Sequence, residues 1–166
     1  MRFKSFEIKN FRGIRHTTLD LARLANGHIN ALVGLNESGK TTVLEAIHHF
    51  LSNPDLLIKT PSSSRRSSSD YQKMLPIGMR ALFNGSVVIK AKVEIENKDW
   101  IKIDSFLKEE FGYTSSEKVK EFTINHSVNF EDSKFDGTVN QWNIHFWGQK
   151  KVSNRNKRFR VTGDDW

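Results

Sequence analysis

Two hydrophobic rhythms run along this chain and divide it into zones. Between residues 86 and 147, apolar side chains recur at every second position. Val87, Ile89, Ala91, Val93 and Ile95 alternate with Val88, Lys90, Lys92, Glu94 and Glu96. Phe122, Ile124, His126, Val128 and Phe130 alternate with Thr123, Asn125, Ser127 and Asn129, and Trp142, Ile144 and Phe146 keep the rule. A period of two predicts strands wet on one face, the habit of antiparallel pairing. Asp136 and Gly137, between the last two runs, predict a hairpin turn. Trp100, Ile103, Phe106, Leu107 and Phe111 recur at helical spacing behind Asn97, which predicts a helix capped by that asparagine.

The first 51 residues follow a different rhythm. Two strands open the chain, and residues 28–33, H-I-N-A-L-V, predict a third that is short and buried. Val43, Ala46, Ile47, Phe50 and Leu51 then predict a helix over residues 42–51. Residues 52–85, with Pro54 and the run P-S-S-S-R-R-S-S-S at 61–69, predict a flexible polar loop. Arg65 and Arg66 within it read as solvated charges. No internal repeat is evident.

The turn between the third strand and the helix carries the chemistry. Residues 34–41, G-L-N-E-S-G-K-T, form a complete P-loop, G-x-x-x-x-G-K-[ST], in its strand–turn–helix setting. Gly34 and Gly39 allow tight backbone geometry, so N–H groups of the loop, including those of Asn36, Glu37 and Ser38, point at phosphate oxygens. The helix N-terminus, entered by Lys40, Thr41 and Thr42, adds partial positive charge. Lys40 is expected to reach the β- and γ-phosphates, and Thr41 to offer its hydroxyl to Mg²⁺. The pattern calls for ATP with Mg²⁺.

The opening segments extend the picture. F-E-I-K-N-F-R-G-I at 6–14, followed by T-T-L-D-L at 17–21, resembles the start of the SMC, RecF and Rad50-like branch of ABC-type ATPases. The loop wording G-L-N-E-S-G-K-T-T-V-L-E-A-I is similar to that branch and closest to the OLD-family ATPases. Residues 3–51 carry most of the resemblance, and residues 69–96 look like the entry to that family's inserted strands. The resemblance implies a mixed α/β fold, the N-terminal lobe of a P-loop ATPase with antiparallel strands, spanning residues 1–166. It implies that Arg12, the basic residue after Asn-Phe, lies near the nucleotide. It implies a head-to-tail homodimer or higher oligomer, with DNA, a nuclease domain or an effector subunit as candidate partners; these residues do not themselves imply a TOPRIM nuclease domain. Gln72 is a candidate γ-phosphate sensor, displaced from the usual position.

The sequence lacks a Walker B run ending in Asp-Glu, an LSGG-like signature and a switch histidine. L-S-N-P at 51–54 shares two letters with the signature, and V-T-G-D-D at 161–165 has paired acids without the apolar run. Only the N-terminal lobe of the ATPase is therefore expected here, as a fragment, a truncated product or the ordered part of a longer chain. Two functions stay open: an ATPase lobe driving a DNA-directed activity, and a nucleotide-gated assembly module without turnover that holds or releases an effector.

Composition narrows the setting. The chain has no cysteine, which excludes a disulfide framework and thiolate metal sites and suits a reducing cytoplasm. No apolar run reaches membrane-spanning length. The formal charge is +7, from 26 Lys plus Arg against 19 Asp plus Glu. Lys150, Lys151, Arg155, Lys157, Arg158 and Arg160 concentrate this excess beside Trp147 and Phe159, with no acid over residues 149–160. Such a stretch tracks a nucleic-acid backbone or forms a charged sheet edge that resists association. His48 and His49 are adjacent and face different sides of a helix, so they do not form an i, i+4 metal pair. His126 reads as a satisfied core histidine, and His145 has no carboxylate at ligand spacing.

Overall fold

The computed structural model describes residues 1–21, 31–53, 68–112, 114–115, 118–144, 146–152 and 155–161. Arg65, Arg66, His145 and residues 28–30 lie outside the described residues. Two antiparallel strands open the chain, β1 (Arg2–Phe11) and β2 (Ile14–Asp20), in the register Phe11 opposite Ile14 and Ser5 opposite Asp20. Helix α1 (Lys40–Leu51) and short helix α2 (Ser68–Gln72) follow, then a 3-10 turn (Ile77–Met79). Strand β3 (Gly85–Glu94) and helix α3 (Asn97–Phe111) precede β4 (Thr114–Ser115), β5 (Glu121–Glu131) and β6 (Lys134–Asn143). Strands β7 (Phe146–Val152) and β8 (Arg155–Val161) close the order. The architecture is mixed α/β.

Five strands form one sheet in the order β2-β1-β3-β5-β6, and β4-β7-β8 form a second. Bonds across the first sheet set its sense. Arg2 meets Glu94 and Asn10 Nδ2 donates to Ser86 O, so β1 and β3 run oppositely. Ser86 Oγ donates to Asn129 Oδ1 and Lys92 pairs with Glu121, so β3 and β5 do too. The antiparallel expectation for these runs holds.

The chain forms two compact units. The larger covers residues 4–91 and 124–141. Its core takes the alternating positions Phe6, Ile8, Val87, Ile89, Ala91, Ile124, Val128 and Phe130, together with Ala46 and Phe50 from α1. Phe50 meets Phe6 edge to face, with ring centroids 5.7 Å apart. Each Val, Ile or Phe among them contributes about 1.5–3 kcal/mol by leaving water. His126 occupies a core position with no exposed surface. A buried imidazole is costly unless bonded. Here Nδ1 donates to Asn140 Oδ1 at 2.7 Å, and in that tautomer Nε2 accepts from Asn53 Nδ2 at 3.4 Å. The smaller unit covers residues 1–3, 92–123 and 142–166. Trp100 and Leu107 of α3 are buried in it, and the Trp100 indole N–H donates to Val119 O at 3.1 Å.

Four expectations are corrected. The hairpin turn is at Asp132 and Ser133, and Asp136-Gly137 lies within β6. Both turn residues have positive φ, 47° and 61°, the twist that a two-residue hairpin needs. They hold it without glycine because Asp132 N–H donates to Asn84 Oδ1 and Ser133 Oγ accepts from Phe83 N–H, both at 2.7 Å. Gly137 still has a glycine's conformation, φ 145°. Second, the polar loop of 52–85 contains α2 and the 3-10 turn, because Tyr71, Met74, Leu75 and Phe83 are buried. Third, the cap of α3 is Glu96 rather than Asn97. Fourth, Trp142 and Phe146 do not share a strand, since the chain leaves the five-stranded sheet after Asn143 and enters the second at Phe146.

Candidate nucleotide-binding site

The P-loop closes on itself through its own backbone. Glu37 and Gly39 have positive φ, 65° and 84°, and Ser38 N–H donates to Leu35 O at 3.3 Å. A Cβ on Gly34 would come within 2.9 Å of Ser38 Oγ, so a larger residue at 34 would require that hydroxyl to turn away. Gly39 is the N-cap of α1, and its carbonyl accepts the first helical bond from Val43 N–H at 3.0 Å. No side chain caps this helix and its first turn holds no acid. Lys40 Nζ folds back over the loop, donating to Gly34 O at 2.8 Å, Leu35 O at 2.5 Å and Ser38 Oγ at 3.2 Å. The ammonium is thereby held at the mouth of the loop.

The strand expected at 28–33 is not seen in its described part. Residues 31–35 carry no strand, and Val33 and Leu35 are 93% and 85% exposed. A buried strand needs paired neighbours for its backbone groups, and no described strand pairs with this segment.

Beside the loop, a cleft of about 360 Å³ opens along α1. Thr41 lines it together with Phe11, Arg12, Glu45, Lys73 and Met74. The structure thus brings Arg12 and Thr41 to one cavity. Arg12 stands in the two-residue turn between β1 and β2 and donates to Lys73 O and to the Glu45 carboxylate. Gln72 lines a different, more open cleft with Ser69, Arg80 and Ser133. The basic residues of the tail fall on the β7–β8 hairpin, where Lys150 is opposite Lys157 and Gln149 opposite Arg158. Among the described residues no group of three or more His, Cys, Asp or Glu gathers to hold a metal. Glu45 was not singled out from sequence, although its place four residues after Thr41 sets both on one helix face.

A P-loop heading a helix that no side chain caps defines the class, a P-loop ATPase-type lobe. The chain belongs to the AAA ATPase domain family, whose profile matches residues 1–162. The DNA replication and repair protein RecF from Lactococcus lactis subsp. cremoris strain SK11 is 31% identical over 114 residues, and that of strain MG1363 is 31% identical over the same length. Each match covers 66% of this chain, which spans 28% of the relative's length. The resemblance to the RecF, SMC and Rad50-like branch therefore stands. A solved structure concerning ATP-driven dimerization and DNA-stimulated activation of SMC ATPases aligns over 95% of this chain and 72% of its own, with 15% identity and a TM-score of 0.46. No helix among the described residues is long and apolar enough to cross a membrane.

Proposed function

We propose that this chain binds ATP–Mg²⁺ at residues 34–42, as the front lobe of an ATPase that drives a DNA-directed activity in a larger protein or complex. One observation carries the reading: a glycine-shaped loop delivers Lys40 and Thr41 to a helix end that no side chain caps. Backbone N–H groups there suit phosphate oxygens, and Lys40 needs only to exchange loop oxygens for phosphate. Thr41 would hold Mg²⁺, a hard cation that takes one or two protein oxygens and shares the phosphates. Arg12, on the wall of the same cleft, would contact the nucleotide. Turnover would require the Asp-Glu pair and signature that these residues lack, contributed by other parts of the assembly. Titration calorimetry tests the reading. Lys40→Ala should weaken ATP–Mg²⁺ binding at least about tenfold, and Thr41→Ala should act on the Mg²⁺-dependent part. Equal affinity for wild type and Lys40→Ala would refute it.

The DNA-directed part is supported by the RecF relatives and by the basic β7–β8 hairpin. The loop wording favours an OLD-like setting, with nuclease or antiphage partners and a cytoplasmic, oligomeric assembly. Duplex DNA binding should then ignore sequence and weaken with salt, at a log–log slope of about −0.9 per neutralised phosphate. Changing Lys157 and Arg158 together to Ala should flatten that slope by about one to two units. An unchanged slope would leave the hairpin a charged sheet edge.

A further inference from the structure

Arg12 is held from several sides at the cleft. Its φ of 49° is a left-handed conformation that a residue with a side chain keeps only where its surroundings over-determine it. Two backbone bonds do so: Arg12 N–H donates to Met74 O at 2.9 Å, and Ile77 N–H donates to Arg12 O at 3.1 Å. The side chain is fixed as well. Nε donates to Lys73 O at 3.1 Å, Nη1 donates to the Glu45 carboxylate, and the guanidinium lies 5.6 Å from the centroid of the Phe11 ring. Of the five N–H donors on a guanidinium, these contacts use two and leave three for a ligand.

Glu45 is the unexpected member. It stands one helical turn beyond Thr41 on the cleft side of α1. A bare carboxylate there would repel a triphosphate, yet its charge is matched by Arg12. A purely stabilising pair is a poor account, because both side chains are partly exposed, 32% and 41%, and such pairs contribute little. We infer that Glu45 is a positioning residue: it holds the Arg12 guanidinium on the cleft wall, aimed at the nucleotide phosphates, without touching the nucleotide itself. This rests on the reading of the P-loop as an ATP site.

The test is a double-mutant cycle read by calorimetry with ATP–Mg²⁺, on the whole chain. Arg12→Ala and Glu45→Gln should each weaken binding by about five- to tenfold. The double variant should be no weaker than Arg12→Ala alone, because Glu45 acts only through Arg12. Glu45→Asp should recover part of the loss, and thermal midpoints should stay within about 2 °C of wild type. Wild-type affinity for Glu45→Gln, or losses that add in the double variant, overturns the inference while Lys40-dependent binding leaves the P-loop reading intact. Absence of Lys40-dependent binding in the wild type overturns both.

Discussion

Helices α1 and α3 begin in opposite ways. α3 starts from Glu96 in an extended backbone conformation and closes a capping box with Asp99, whose Oδ2 accepts the Glu96 N–H at 3.0 Å. Its first-turn acid answers the positive end of the helix dipole from within. α1 starts from Gly39 in a left-handed conformation, with no side-chain cap, no first-turn acid and a lysine at its first position. By the rules of isolated helices α1 is the worse design. On the reading proposed for the P-loop, local stability gives way to binding here: donors that α3 satisfies with its own carboxylates would serve an incoming anion in α1.

The sharpest way to break this comparison is to give α1 an acid of its own. Thr42→Asp places a carboxylate in the first turn, which should stabilise the helix by roughly 0.3–1 kcal/mol. The same charge should lower ATP–Mg²⁺ affinity by more than about tenfold through repulsion of the phosphates. Calorimetry and urea unfolding read the two effects, and a variant that binds ATP as wild type would detach the bare helix end from phosphate recognition.

The converse change at α3 should have a smaller effect, confined to stability. The Met1 ammonium bonded to Asp99 holds that carboxyl below its ordinary range, and the Glu96 N–H adds to the effect. A hydrogen bond from Lys98 likewise lowers Glu96. Carboxyls lowered in the folded state contribute stability that is complete above the ordinary carboxylate range and is lost as pH falls through their folded values. Thermal midpoints measured from pH 7 down to pH 3 should therefore fall more steeply for wild type than for Asp99→Asn, with ATP affinity at pH 7 equal in the two. Parallel curves would remove the capping box from the account.

Local rules were legible where one residue's chemistry decides the outcome. The G-x-x-x-x-G-K-[ST] spacing placed the loop, since the left-handed φ at Gly39 favours glycine and the space beside Gly34 is taken by Ser38 Oγ. The alternation of Val87 to Val93 and of Phe122 to Phe130 placed two strands and their buried faces. Choices between near-equal local signals were not legible. Asp136-Gly137 is the stronger hairpin signal, but Asn84 and Phe83, about 50 residues away in sequence, stabilise Asp132 and Ser133 instead. Glu96 outcompetes Asn97 as a cap because Asp99 lies three residues on and closes the box.

The sequence by itself determined the P-loop, the helix it heads and the faces of the central strands. These follow from backbone sterics and from hydrophobic period, both read within a few neighbouring residues. Only the tertiary structure decided that α2 and the 3-10 turn fold out of a polar stretch, where burial of Tyr71, Met74 and Leu75 outweighs local composition. It alone decided that Arg12, Thr41 and Glu45 share a cleft, because a strand end and a helix separated by some thirty residues must pack before their charges can meet.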